Sequence, residues 1–156
     1  MRRFAVIASL VLLLLVVVGV GVSRFSLAAL DEPGQAETYL ASKAKHLLVA
    51  RDSRGVPPEP ASTLAGVAAG EKLYGAECAM CHGLNGRTPT DAGRWMYPRA
   101  ADLTSEQAQQ YSDRELFWIV KNGIRLSGMP AFGKVETEEH IWQLVQYVRT
   151  LRRVGT

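Results

Sequence analysis

The chain has 156 residues, 47% of them hydrophobic, and a formal net charge of +3 at pH 7. The charge is spread evenly: residues 1–65 carry seven Lys or Arg and five Asp or Glu, and residues 66–156 carry eleven and ten. A chain of this length suits one modest domain with additional segments. The absence of a basic cluster argues against nucleic-acid binding, and we expect no nucleic-acid partner.

The N-terminal segment 1–23 is predicted to be a transmembrane anchor or an uncleaved signal. Its residues 4–23, FAVIASLVLLLLVVVGVGVS, contain no charge, and about twenty apolar residues are enough for a helix to cross a bilayer. Arg2 and Arg3 precede the run, so the N-terminus is expected in the cytoplasm and the remainder outside. The alternative is a secretory signal cleaved near Ser26-Leu27-Ala28, which would also export the remainder.

Residues 24–65 are interpreted as a tether. A short helix is predicted here from four apolar residues at near-helical spacing, Leu40, Ala44, Leu47 and Leu48. We expect this helix to lie near the membrane or against the following domain, and His46 within it to be solvated. The segment GVPPEPAS then breaks the helix, because its three prolines favour extended backbone, and marks a domain boundary.

Residues 66–156 are predicted to form an all-α domain with no convincing strand. The first helix is expected from about Leu64 to Glu77. In the second, SDRELFWIVKNG, Ser112 and Glu115 form a capping box and Gly123 is a C-terminal stop.

The third predicted helix is TEEHIWQLVQYVRTLRR. Thr137 can cap it, and the two glutamates of the first turn and the arginines Arg149, Arg152 and Arg153 of the last turns oppose the helix dipole. Between the first two helices, residues 83–110 show no periodicity, and a loop that long is unusual inside a small domain. Three helices also give a thin core for 90 residues, so we infer that an apolar group outside the sequence fills it.

The sequence AECAMCHGLNG indicates which group this is. It holds both cysteines of the chain, Cys78 and Cys81, followed directly by His82. Cys-x-x-Cys-His is the attachment pattern of c-type haem. Two thiols three residues apart lie on one side of a helical turn, from which both can add to the vinyl groups of one porphyrin, and the next residue can ligate iron. We therefore interpret the pair as anchors of one covalent haem and His82 as its proximal ligand.

Other interpretations of the pair have less support. A thioredoxin-like redox pair needs a strand-to-helix setting, and a zinc site needs further Cys or His ligands at metal spacing. A plain disulfide across two residues would be strained and would leave His82 unexplained.

Met129 is the candidate for the sixth ligand of the iron. It lies in GIRLSGMPAFG, between Gly128, which permits close approach, and Pro130, which stiffens the loop. Met96 is the second candidate. Met80 between the two cysteines, His140 near the start of the last helix and His46 are less suited.

Residues 66–156 resemble a small bacterial class I cytochrome c with one haem. GEKLYGAECAMCHGLNG is similar to the first helix and haem-binding turn of that family, ELFWIVKNGIRLSGMPAF to its distal helix and methionine loop, and IWQLVQYVRTLR to its last helix. The resemblance implies that Gly70 and Tyr74 of the first helix cross the last helix near Trp142 and Tyr147.

The resemblance also implies roles around the haem. A backbone carbonyl should hold the His82 ring, and Pro98 is expected to supply it, with Pro89 as the alternative. Arg99, with Trp95 and Tyr97, is a candidate to bind the haem propionates. Trp118 is a candidate to pack on the ring or to cap a propionate.

These features predict a one-electron carrier rather than an enzyme, on the periplasmic side of a bacterial inner membrane and held there by its single N-terminal span. Expected partners are a quinol-oxidising complex, a terminal oxidase or a dehydrogenase of a respiratory chain. The main alternative is a fixed haem subunit of a larger oxidase or dehydrogenase complex. A sensor in which Met129 dissociates and a gas binds is a third interpretation.

Overall fold

The computed structural model describes residues 2–24, 26 and 28–152. The predicted roles of Leu27 in a cleavage site and of Arg153 in the helix dipole lie outside the described residues. The described part contains helices and no strand, which confirms the all-α prediction. The helices are α1 Arg2–Ser23, α2 Gln35–Asp52, α3 Leu64–Leu73, α4 Ala79–His82, α5 Asp91–Arg94, α6 Glu106–Gln109, α7 Asp113–Asn122 and α8 Glu138–Leu151.

The chain divides into two compact units, Met1–Asp31 and Glu32–Thr156. The first contains α1, whose 18-residue window of mean hydropathy 3.0 is long and apolar enough to cross a membrane, a criterion that a secretory signal also meets. The second contains all the other helices.

The core of the second unit is built where α3 crosses α8. Gly70 permits the crossing, because a Cβ at this position would overlap the Gln143 carbonyl and the Tyr147 side chain. Tyr74 follows one turn later, and its ring centroid lies 5.1 Å from that of Tyr147. The crossing implied by the resemblance is therefore present, although Trp142 stacks on Phe117 of α7, with centroids 4.4 Å apart.

The predicted helix caps are present. Ser112 and Glu115 form the reciprocal capping box of α7, and Gly123 ends this helix with φ of 67°. Thr137 accepts a hydrogen bond from the His140 amide at the start of α8, at 3.2 Å. Gly123 fixes where α7 ends and Thr137 fixes where α8 begins. Together they set the limits of the segment that joins the two helices.

Two short helices correct the prediction of an irregular loop. The stretch 83–110 contains α5 and α6, capped by Thr90 and Ser105 respectively. One turn of helix has too few apolar positions to show a period, so the sequence pattern could not reveal either helix.

Helix α2 packs on the other helices of the second unit. Val49 is 2% exposed, and the His46 ring stacks on Tyr111, with centroids 4.1 Å apart and planes 9° from parallel. His46, expected to be solvated, is therefore half-buried, because the aromatic ring of Tyr111 covers one face of its ring. The four apolar residues that predicted this helix face outward and are exposed, namely Leu40, Ala44, Leu47 and Leu48.

Candidate functional site

The two cysteines and the histidine lie at the end of the first long helical segment. After α3 the backbone makes a π turn, Tyr74–Cys78, and then the single turn α4, which ends at His82. π turns of this kind are frequent at functional sites. The predicted first helix is thus interrupted where the thiols begin.

Tyr74 and Gly83 fix the exit from this segment. The Tyr74 side chain is 1% exposed, and its hydroxyl donates a 2.7 Å hydrogen bond to the Gly83 carbonyl. Gly83 has φ of 74°, and a Cβ there would overlap the Thr88 carbonyl. The chain can therefore turn sharply directly after His82 only with glycine at this position.

His82 is held through one ring nitrogen. Its Nδ1 lies 2.9 Å from the carbonyl oxygen of Ala101, to which the protonated nitrogen donates. This contact leaves Nε2 as the nitrogen that can bind a metal. Burial lowers the pKa of His82, while the Ala101 carbonyl acts in the opposite direction, so the ring is held in the neutral form that metal ligation requires.

The carbonyl that holds the His82 ring differs from the one predicted. Ala101, and not Pro98 or Pro89, accepts the hydrogen bond of the His82 ring. Pro98 lies three residues earlier and is exposed. The resemblance indicated the type of contact, but the length of this loop moves the contacting residue along the chain.

The surroundings of the two thiols bear on the alternative of a redox pair. Both are free and half-buried. Burial, with smaller contributions from Glu77 and Cys81, raises the pKa of Cys78 to about 12. A thiol-disulfide catalyst needs a lowered thiol pKa, so this environment disfavours the thioredoxin-like alternative. The described residues contain no cluster of three or more His, Cys, Asp or Glu suited to a metal ion.

Met129 lies in a tight turn between α7 and α8. Its amide donates to Ser127 Oγ at 3.2 Å, and the same hydroxyl donates to the Ile124 carbonyl at 2.7 Å. The Met129 carbonyl accepts from the Ile124 amide at 3.4 Å. The side chain is half-buried, and the turn fixes the backbone that carries it.

The remaining candidates occupy different surroundings. Arg99 forms an ion pair with Glu32 at 2.9 Å, and both side chains are largely exposed. The Tyr97 hydroxyl donates to Glu37 of α2, and Trp95 is 66% exposed. Trp118 is half-buried against the apolar core. Their contacts with a haem stay predictions.

His140 and Met80 are not placed as an axial ligand would be. His140 Nδ1 lies 2.6 Å from Glu136, which the sequence argument did not single out, and 45% of the His140 side chain is exposed. Met80 is 69% exposed. The roles of His82 and Met129 as ligands of a haem iron stay predictions, as does the alternative Met96.

Comparisons with known proteins identify the family to which the chain belongs. Residues 65–148 match the sequence model of the family described as cytochrome c oxidase, cbb3-type, subunit III. The chain is 30% identical over 92 residues to quinohemoprotein alcohol dehydrogenase ADH-IIG of Pseudomonas putida, a match that covers 59% of this chain and 11% of that protein.

A solved structure has the same fold. A chain of the Kuenenia stuttgartiensis reducing HAO-like protein complex Kustc0457/Kustc0458 superposes with a TM-score of 0.56 and 25% identity, over 62% of this chain and 48% of that chain. The chain thus spans a small part of the dehydrogenase and under half of the structural relative. Since the family match covers more than half of its length, the chain belongs to this family of c-type cytochrome domains, and its function is electron transfer by haem c.

Proposed function

We propose that the chain binds one haem covalently, with His82 and Met129 as axial ligands, and carries electrons one at a time while tethered to a membrane. The observation that carries the proposal is the position of the His82 ring, whose Nδ1 lies 2.9 Å from the Ala101 carbonyl, directly behind two free thiols. A haem iron with His and Met ligands supplies reversible one-electron chemistry.

Four residues of the chain would hold the haem. Cys78 and Cys81 would hold the haem covalently, each thiol adding its S–H across one vinyl double bond with no other product. His82 would bind the iron through Nε2, with its ring oriented by the Ala101 carbonyl. Met129 would contribute an uncharged thioether from the turn between α7 and α8.

The proposed location follows from α1. Its length and composition suit a membrane span, and Arg2 and Arg3 at its start favour a cytoplasmic N-terminus. The haem domain would then lie on the periplasmic side of a bacterial inner membrane. Confinement to the membrane raises the effective concentration near a quinol-oxidising complex, a terminal oxidase or a dehydrogenase.

A second candidate is a fixed haem subunit of a larger oxidoreductase. It is supported by the relatives, one of which is named as a quinohemoprotein dehydrogenase and another as part of a protein complex. Purification of the holoprotein from membranes in mild detergent separates the two: a carrier elutes alone, whereas a subunit elutes with a stoichiometric partner.

Met129→Ala tests the ligand assignment. The variant should keep its covalent haem, shown by a pyridine haemochrome spectrum of the c type, and lose the long-wavelength band of methionine-ligated ferric haem. Its reduction potential should fall, because a weaker ligand such as water does not favour the ferrous state as a thioether does. Met80→Ala is the matched control and should keep the band. Retention of the band in Met129→Ala would show that another residue is the sixth ligand.

A further inference from the structure

We propose that Met96 is a positioning residue that holds the Met129 turn against the haem. The proposal rests on the proposed function, because it concerns how the Met129 ligand is kept in place. The supporting observation is a contact between Met96 and Gly128, which lie 32 positions apart in the sequence.

The contact joins Met96 to Gly128. A Cβ built on Gly128 would overlap Met96 Sδ and would lie 2.8 Å from Met96 Cγ, so the thioether lies directly on the Gly128 backbone. Gly128 is the residue before Met129. Met96 is half-buried, although its neighbour Trp95 is largely exposed.

The segment that carries Met96 is fastened to the haem-binding turn. The Thr90 amide donates to the Cys81 carbonyl at 3.1 Å, and the Thr90 hydroxyl donates to the Met80 carbonyl at 2.5 Å. Gly93 of α5 approaches so closely that a Cβ there would overlap the Cys81 carbonyl. The start of this segment is therefore held to the backbone of the haem-binding turn at Met80 and Cys81.

The end of the segment is fastened as well. The Ala100 amide donates to the Gly93 carbonyl at 2.9 Å, which closes the segment into a compact loop. One residue later the Ala101 carbonyl holds His82. Residues 90–101 thus form a brace that is attached to the proximal ligand side and reaches the distal ligand turn through Met96.

Contact with this brace would stabilise the turn that holds Met129. Its own closing hydrogen bond, from the Ile124 amide to the Met129 carbonyl, is long at 3.4 Å. Leu126 within the turn has φ of 60°, which is unfavourable for a residue with a side chain, and is 90% exposed. A weakly closed turn with an unfavourable residue depends on outside contacts to stay in one arrangement.

The test is competition for the iron in the oxidised, detergent-solubilised holoprotein. Imidazole binds when Met129 leaves, so its apparent affinity reports how firmly the turn is held. Met96→Ala should keep the methionine band and bind imidazole about tenfold more tightly. Met96→Leu should restore nearly the original affinity, because leucine fills similar space without sulfur. Val135→Ala, which removes an exposed apolar side chain after the turn, is the control and should change nothing.

Gly128→Ala supplies the reciprocal test. Its added methyl group displaces Met96 and should raise imidazole affinity in the wild-type background. In the Met96→Ala background the two closest atoms, Met96 Sδ and Cγ, are gone and only the Cβ of residue 96 remains, at 3.3 Å. The two substitutions should therefore combine to much less than the product of their separate effects.

The outcomes separate the two proposals. Unchanged imidazole affinity in Met96→Ala, or multiplicative effects of the two substitutions, would overturn the positioning role. Loss of the methionine band in Met96→Ala would also overturn it, by making Met96 the ligand itself. Whether Met129 is the ligand is decided separately, by the band in Met129→Ala.

Discussion

At the scale of single residues, Arg149 shows how one side chain joins three elements. Its guanidinium lies 2.5 Å from Asp113 at the start of α7 and donates to the Gln109 carbonyl at 3.0 Å at the end of α6. It also donates to the Tyr111 carbonyl between them. Five donors in a planar fork can satisfy all three acceptors at once.

Arg149→Lys should therefore destabilise the holoprotein although it keeps the charge. Lysine can pair with Asp113 but cannot reach both carbonyls, and leaving them unpaired should cost about 1–3 kcal/mol of unfolding free energy. The measurement is urea unfolding followed by far-ultraviolet circular dichroism. Arg94→Lys is the control, because its pair with Asp91 is exposed and should contribute under about 1 kcal/mol. Equal losses in the two variants would contradict this role of Arg149.

The sequence indicated a role for Arg149, but a different one. Its position near the end of an amphipathic helix predicted an interaction with the helix dipole, which is a local property. Its actual partners lie 36 to 40 positions earlier in the chain. Sequence patterns report neighbours along a helix, whereas the acceptors of Arg149 come together only after α6 and α7 have folded against α8.

At the scale of elements, the crossing of α3 and α8 depends on one missing side chain. Gly70 lies against the Gln143 carbonyl with no room for a Cβ. Backbones that approach this closely bury a continuous apolar surface, and α8 supplies much of it through Ile141 and Val145, both fully buried.

Gly70→Ala should destabilise the protein by about 2 kcal/mol or more, because the methyl group forces the two helices apart against their packing. Gly75→Ala is a matched control, since nothing lies within 4 Å of the Cβ it would add. Both substitutions remove the same backbone freedom from the unfolded chain. The difference between their urea midpoints therefore isolates the steric effect, and no difference would mean that the crossing can relax.

Elements with a repeated apolar stripe or a cap were predictable. The capping box at Ser112 and the cap at Thr137 are local, so the starts of α7 and α8 follow from a few adjacent residues. The π turn before Cys78 has no local signal, since it extends a helix by one residue without a change in composition. The resemblance indicated that a carbonyl holds His82, but Ala101 is that carbonyl only because loop 83–101 folds back on the haem-binding turn.

At the scale of the whole molecule, much of the predicted tether is part of the packed domain. Helix α2 packs on it, and Glu59 of the proline-rich segment lies beside Asp113 and Gln146. Burial, and then the neighbouring Asp113, raise the pKa of the Glu59 carboxyl above its ordinary 4.5. The predicted linker thus has one residue, Glu59, beside the first residue of α7. The domain limits predicted from the sequence stay predictions.

The raised pKa predicts a pH dependence with a definite sign. The folded state holds the Glu59 proton more tightly than the unfolded chain, so this contribution to stability is complete at low pH and is lost as pH rises through the raised pKa. Glu59→Gln, always neutral, should match the wild type at about pH 4 and be more stable at about pH 7. Urea unfolding at the two pH values measures this. Glu71→Gln, an exposed acid elsewhere, is the control, and a constant difference between Glu59→Gln and wild type would contradict the prediction.

The outward leucines of α2 have a practical consequence for work with this protein. A soluble version that begins after α1 would still present Leu40, Leu47 and Leu48, which are 65%, 73% and 49% exposed. Removal of α1 therefore leaves an exposed apolar stripe on the solvent side of a well-packed helix. Crystallisation trials and affinity measurements with such a version need this stripe made polar, or its self-association will be read as binding.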